Sequence, residues 1–152
     1  MLKISKSLSV TISLVLTVLF LAVLIAAAVI LPSFVQLISP AAGRPLGQYG
    51  RVLICAAGYV ILSLAVLADV LLFRLLEMIR RGLVFSALTV SLIRGVSWCA
   101  FGISVVFMAL TVYYLIAIVL SFTAVLLGLC LRVVKNVIEQ ATEIKSENDL
   151  TV

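Results

Sequence analysis

Between Gly95 and Val134 the chain runs forty residues with one charged side chain, Arg132, close to the end. As a single helix at about 1.5 Å per residue this block would be about 60 Å long, twice the ~30 Å hydrocarbon thickness of a bilayer. It must therefore fold back on itself. Its middle is Tyr113-Tyr114, and tyrosine favours the headgroup level of a membrane. A tight turn there gives two spans, about 95–112 and 115–134.

The remainder of the chain agrees with a membrane setting. Hydrophobic residues make up 65% of it and charged residues 11%, against about half and about a quarter in an ordinary soluble domain. The stretch 8–31 carries no charge and ends at Pro32, which is expected to stop a helix. Lys3 and Lys6 ahead of it resemble the start of a signal peptide, but a secretory apolar core is only about 7 to 15 residues long. The run therefore reads as a retained helix. The stretch 52–73 is interrupted only by Asp69. The expected fold is an all-α membrane protein, a four-helix transmembrane bundle with a cytoplasmic C-terminal helical extension. Residues 1–152 form one integral membrane domain with an outer loop at 32–51, an inner loop at 74–94 and a tail at 135–152.

Counting lysines and arginines orients this layout. Lys3, Lys6, Arg74, Arg80, Arg81, Arg94, Arg132, Lys135 and Lys145 fall on the side of the termini, and only Arg44 and Arg51 on the other. Positive charge collects on the cytoplasmic side of membrane proteins, so both termini are expected there.

Composition also removes whole classes of chemistry. With no histidine, the chain has no Ser-His-Asp triad, no Cys-His pair and no histidine ligand for zinc or haem. Cys55, Cys99 and Cys130 stand singly in apolar runs without CxxC spacing and read as small packing residues. No GxGxxG, GxxxxGK or HExxH occurs. The expectation is a protein that is not an enzyme and holds no metal or cofactor.

The connections carry the remaining signals. The outer one is rich in proline and glycine and reads as a lid over the bundle, with Phe34, Val35, Leu37 and Ile38 spaced for one interfacial helical turn. On the inner side, Arg74 to Arg81 continues the second helix, Gly82 marks its stop and Ser86 is placed to cap the next. Beyond Arg132, Val134, Val137, Ile138, Ala141 and Ile144 form one stripe of a helical stalk. Glu139, Glu143 and Glu147 recur every four residues on another face. Like charges at that spacing repel, so a basic neighbour among Arg74, Arg80, Arg81 and Arg94 is expected to relieve them. Topology and attraction to anionic lipid account for the basic cluster; direct nucleic-acid binding is not expected.

Asp69 is the only acid inside a span. Such a group costs about 2.5 to 3.5 kcal/mol at the bilayer centre and tends to pair, so it is expected to point inward as a structural partner of Arg94 or Arg132. A relay or ion-coupling role is the alternative. Ser5, Ser9, Ser13 and Thr17 recur every fourth residue of the first helix and read as a packing seam, within one molecule or between copies in a homo-oligomer. Spans this short are expected to leave one chain little room for a large solute cavity.

Two stretches resemble a bacterial membrane-protein family catalogued as domain of unknown function 2975. One is the inner loop, with Gly82, Phe85, Ser86, Thr89, Val90, Ile93 and Arg94; the other is the tail Glu147-Asn148-Asp149-Leu150-Thr151-Val152. This chain has Thr89 where the family's pattern has asparagine and Ile93 where it has leucine, and its outer connection at Tyr113-Tyr114 is shorter. The resemblance implies a four-span protein of the cell inner membrane. It also implies a neighbourhood of small helix-turn-helix regulators, hence a sensor, tether or regulatory partner for a cytoplasmic protein of that kind. The surface expected to meet that partner comprises Arg80, Arg81, Phe85, Arg94, Glu139, Glu143, Glu147, Asp149, Leu150 and Val152. Asp69, Ser9, Ser13 and Thr17 are the polar residues expected inside the membrane. The alternative is an accessory transporter subunit, a small carrier or an immunity-type protein against a membrane-active peptide, working through Asp69 and the outer loop.

Overall fold

A computed structural model describes the backbone of residues 6–38 and 47–150 and the side chains within 10–37 and 47–147. Four α-helices account for almost all of them: α1 Lys6–Ile38, α2 Gln48–Arg80, α3 Ala87–Leu110 and α4 Ile116–Leu150. Each is long and apolar enough to cross a membrane. In hydrocarbon every backbone polar group must find an internal partner, and uninterrupted helices provide this. Large apolar side chains such as Leu37, Val112 and Leu115 are exposed around the outside, a surface suited to lipid and not to water.

The fold-back expected in the long apolar block is present. α3 stops at Leu110, where the Tyr113 and Tyr114 amides both donate to the Leu110 carbonyl at 3.0 Å, and α4 begins at Ile116. At the opposite end, Gly82 adopts φ +76° and closes α2. The Leu83 amide reaches back to the Met78 carbonyl (3.0 Å) and the Gly82 amide to the Ile79 carbonyl (3.1 Å), the paired bonds of a Schellman stop. Ser86 then caps α3, accepting the Thr89 amide at 3.2 Å. Thr89 is fully buried and its hydroxyl donates to the Leu83 carbonyl at 3.0 Å. One threonine thus ties the end of one helix to the start of the next.

Pro32 does not stop α1, contrary to the sequence expectation; the helix continues through it to Ile38. Proline removes the N–H that would bond the carbonyl four residues back, here Ala28. The Tyr59 hydroxyl of α2 donates to that carbonyl at 3.3 Å. A neighbouring helix therefore supplies the missing donor, as tolerated prolines in membrane helices require. The interfacial turn expected at Phe34 to Ile38 is instead the last stretch of α1, with Val35 buried and Phe34 and Leu37 exposed. The outer connection is correspondingly shorter than 32–51, since α2 already starts at Gln48.

Packing follows chain order: α1 lies on α2, α2 on α3 and α3 on α4. Glycines govern the approaches. A Cβ on Gly95 would stand 2.8 Å from Leu71 and one on Gly102 3.1 Å from Leu64, so two leucines seven residues apart on α2 sit over two glycines seven apart on α3. Small residues let membrane helices approach closely, and the heptad spacing is that of knobs in holes. Between α3 and α4, the buried Ser121 hydroxyl donates to the Ser104 carbonyl at 2.9 Å.

Candidate functional site

The charged end of the bundle is built on the α3–α4 pair. Arg94, about two turns inside α3, and Glu139, well along α4, form an ion pair at 3.5 Å. Lys135, one turn before Glu139 and largely buried, holds the other carboxylate oxygen. Glu139 lies past the apolar stretch of α4. The Lys135 hydrogen bond, helped by the charges of Lys135 and Arg94, holds its carboxyl below the ordinary value. The basic neighbour expected for the acidic stripe is thus Arg94. Arg81, the residue that ends α2, instead pairs with Glu77 one turn back, while Arg74 and Arg80 are exposed. Glu143 and Glu147 are exposed on the continuing helix and Phe85 on the loop. Asp149 and Leu150 belong to α4 by backbone, but their side chains, like Thr151 and Val152 altogether, lie outside the described residues.

Asp69 is buried, as expected, but the expected partners are elsewhere. Arg94 is on Glu139, and Arg132 stacks 5.3 Å over the Trp98 ring, which itself meets Phe101 edge-on. Asp69 takes part in no ion pair among the described residues. It faces α1 and lines a cavity of about 490 Å³ with Ser13, Thr17 and Phe20. Thr17 is buried there, its hydroxyl donating back to the Leu14 carbonyl at 2.8 Å. Ser13 and Thr17 of the small polar seam thus face α2 of the same chain. The Ser9 side chain and all of Ser5 lie outside the described residues.

At the other end of the bundle the expectation of little internal room fails. Among the described residues α1 and α4 share no extensive contact and stand on opposite sides of a cleft of about 850 Å³, with Ala26 and Phe34 on one wall and Ala117 and Leu120 on the other. Sequential packing produces it, because the extensive interfaces among the described residues are α1–α2, α2–α3 and α3–α4. Of the cysteines, Cys99 is buried as a packing residue, whereas Cys130 is exposed on the apolar exterior.

The profile of the family described as "Protein of unknown function (DUF2975)" matches residues 35–152, most of the chain. The chain belongs to that family. A curated relative, "Uncharacterized membrane protein YoaS" of Bacillus subtilis (strain 168), is 32% identical over 93 residues, covering 53% of this chain and 58% of the relative. The chain thus spans little more than half the length of that relative. No solved structure matches it. Together with the four apolar helices, these similarities make it a multi-pass membrane protein.

Within the DUF2975 match, the inner-loop motif is mostly architecture. Gly82 closes α2, Ser86 caps α3, Thr89 ties the two, and Val90 and Ile93 are buried between helices. Arg94 and Phe85 are the members that reach the surface. Sequence reasoning missed Tyr59 and the Ser121–Ser104 bond. The signal for Tyr59 was a hydroxyl near the depth of a proline-freed carbonyl; nothing local marks Ser121.

Proposed function

We propose that this chain is a non-enzymatic regulatory protein of the bacterial inner membrane that recruits a cytoplasmic partner to the charged end of its bundle. Both termini are cytoplasmic in this reading, by the nine-to-two distribution of lysine and arginine. One observation carries it: α4 continues without a break from the apolar span to Leu150, so an exposed acidic face is held on a stalk anchored in the membrane. Glu139 is engaged by Lys135 and Arg94 and sets the base of that stalk. Glu143, Glu147 and the terminal Asp149-Leu150-Thr151-Val152 form the docking strip, and the exposed Arg80 and Phe85 belong to the same partner surface. A small helix-turn-helix regulator, basic on its nucleic-acid face, suits an acidic dock.

Removing residues 147–152 should abolish capture of cytoplasmic proteins in a crosslinking pull-down from membranes, while the protein stays in the membrane fraction. Capture unchanged by the deletion overturns the proposal. A second reading, an accessory subunit or small carrier, is favoured by one observation, the buried Asp69 facing Ser13 and Thr17 across a cavity. Under it, Asp69→Asn removes the biological effect with abundance unchanged, and the tail is dispensable.

A further inference from the structure

The cleft between α1 and α4 has no part in either reading. On α1 its lining runs from Val23 to Val35, a depth of about 18 Å at about 1.5 Å per residue. One leaflet of a ~30 Å hydrocarbon layer is about 15 Å deep, so the cleft reaches from the headgroup level to near the bilayer middle. Among the described lining residues, the only polar side chain is that of Tyr114. On α2, Ile54, Gly58, Ile61 and Leu62 line it, and the same helical stripe continues one turn outward to Arg51, which is exposed. A helical side chain leans toward the N-terminus of its helix, which for Arg51 is toward the membrane surface.

An empty apolar cleft in hydrocarbon forfeits dispersion contacts along its walls, and water has no partners there. The occupant must be apolar over about 18 Å and carry negative charge at the Arg51 end. A helix of a second copy brings no carboxylate to that end, because the acids of the chain are Asp69, Glu77, Glu139, Glu143, Glu147 and Asp149. We propose that the cleft is a binding site for an anionic phospholipid of the surrounding leaflet, with acyl chain between α1 and α4 and phosphate on the Arg51 guanidinium. A guanidinium offers phosphate a bidentate pair of charge-assisted hydrogen bonds, and the arginine stem can lie along apolar surface while its head stays at the interface.

The test is native mass spectrometry of the full chain in mild detergent with equal phosphatidylglycerol and phosphatidylcholine. The wild type should retain phosphatidylglycerol about fivefold over phosphatidylcholine, the ratio that corresponds to about 1 kcal/mol for one basic residue at a membrane surface. Arg51→Gln should bring that ratio to about one, and Arg51→Lys should restore most of it. Ala26→Trp, filling the cleft from α1, should cut retention of both lipids, and Leu120→Trp should do so from α4, so that the result does not hang on one variant folding. The paired change Arg80→Gln and Arg81→Gln should leave the ratio intact, separating this site from the basic cluster at the other end. A ratio unchanged by Arg51→Gln, retention unchanged by both tryptophans, or a lipid-free dimer dissociated by them overturns the proposal.

Discussion

The hydroxyl of Tyr59 on α2 donates to the carbonyl of Ala28 on α1 at 3.3 Å, and Ala28 is the residue whose carbonyl Pro32 leaves without its helical donor. A proline in one helix and a tyrosine in the next thus function as a pair. Tyr59→Phe should destabilise the protein in detergent by about 1 kcal/mol, the usual net worth of one hydrogen bond. With Pro32→Ala in the background, the alanine N–H returns to the Ala28 carbonyl and the Tyr59→Phe penalty should largely vanish. Equal penalties in the two backgrounds, measured by a double-mutant cycle, would disprove the pairing.

The leucine-over-glycine contacts between α2 and α3 invite an exchange. Gly95→Leu places bulk where even a Cβ meets Leu71 at 2.8 Å, and overpacking of this kind costs about 1 to 3 kcal/mol. Combining it with Leu71→Ala, which opens the facing space, should recover part of the loss. A combined loss equal to the sum of the single ones, by chemical or thermal unfolding in detergent, would show that the two positions do not share that space.

Thr89 makes a sharper prediction for the loop. Thr89→Val keeps the volume but removes the donor to the Leu83 carbonyl and the contact with the Ser86 hydroxyl. Leaving a buried polar partner unmatched costs about 1 to 3 kcal/mol. Hydrogen exchange should accelerate at Leu83 to Val90 and leave the Tyr113 turn unaffected.

Glu139 carries the pH dependence. Its carboxyl is held below its ordinary value of 4.5, so its contribution to anchoring α4 is complete above that value and is lost as pH falls through the lower folded value. Limited proteolysis beyond Lys135 should therefore rise as the pH falls below that ordinary value, and Glu139→Gln should show the acid pattern already at neutral pH. Raising salt should act in the same direction but weakly, because Lys135 is largely buried and screening acts mainly on exposed charges.

Much of this architecture was readable in the sequence because the signals were local. The excess length of 95–134 demanded a turn, Gly82 and Ser86 are punctuation whose partners lie within a few residues, and the glutamate repeat asked for a cation that Arg94 supplies. What was not readable depends on distant neighbours. Pro32 looked like a stop because its rescuer, Tyr59, is on the next helix, 31 residues from the Ala28 carbonyl it satisfies. Asp69 was assigned to an arginine because charge pairing is the commonest resolution inside a membrane; the register instead turns it toward Ser13 and Thr17. The cleft depends on the angle at which successive helices meet, which periodicity does not encode.

The order in which the helices pack has a consequence for biosynthesis. Each one rests on the helix made immediately before it, so every interface can form as soon as its second member leaves the ribosome. The first helix never has to wait for the last. Contacts between chain neighbours also carry a small loop-closure cost, and a bundle assembled this way can acquire its shape progressively during insertion, without a final step of ring closure.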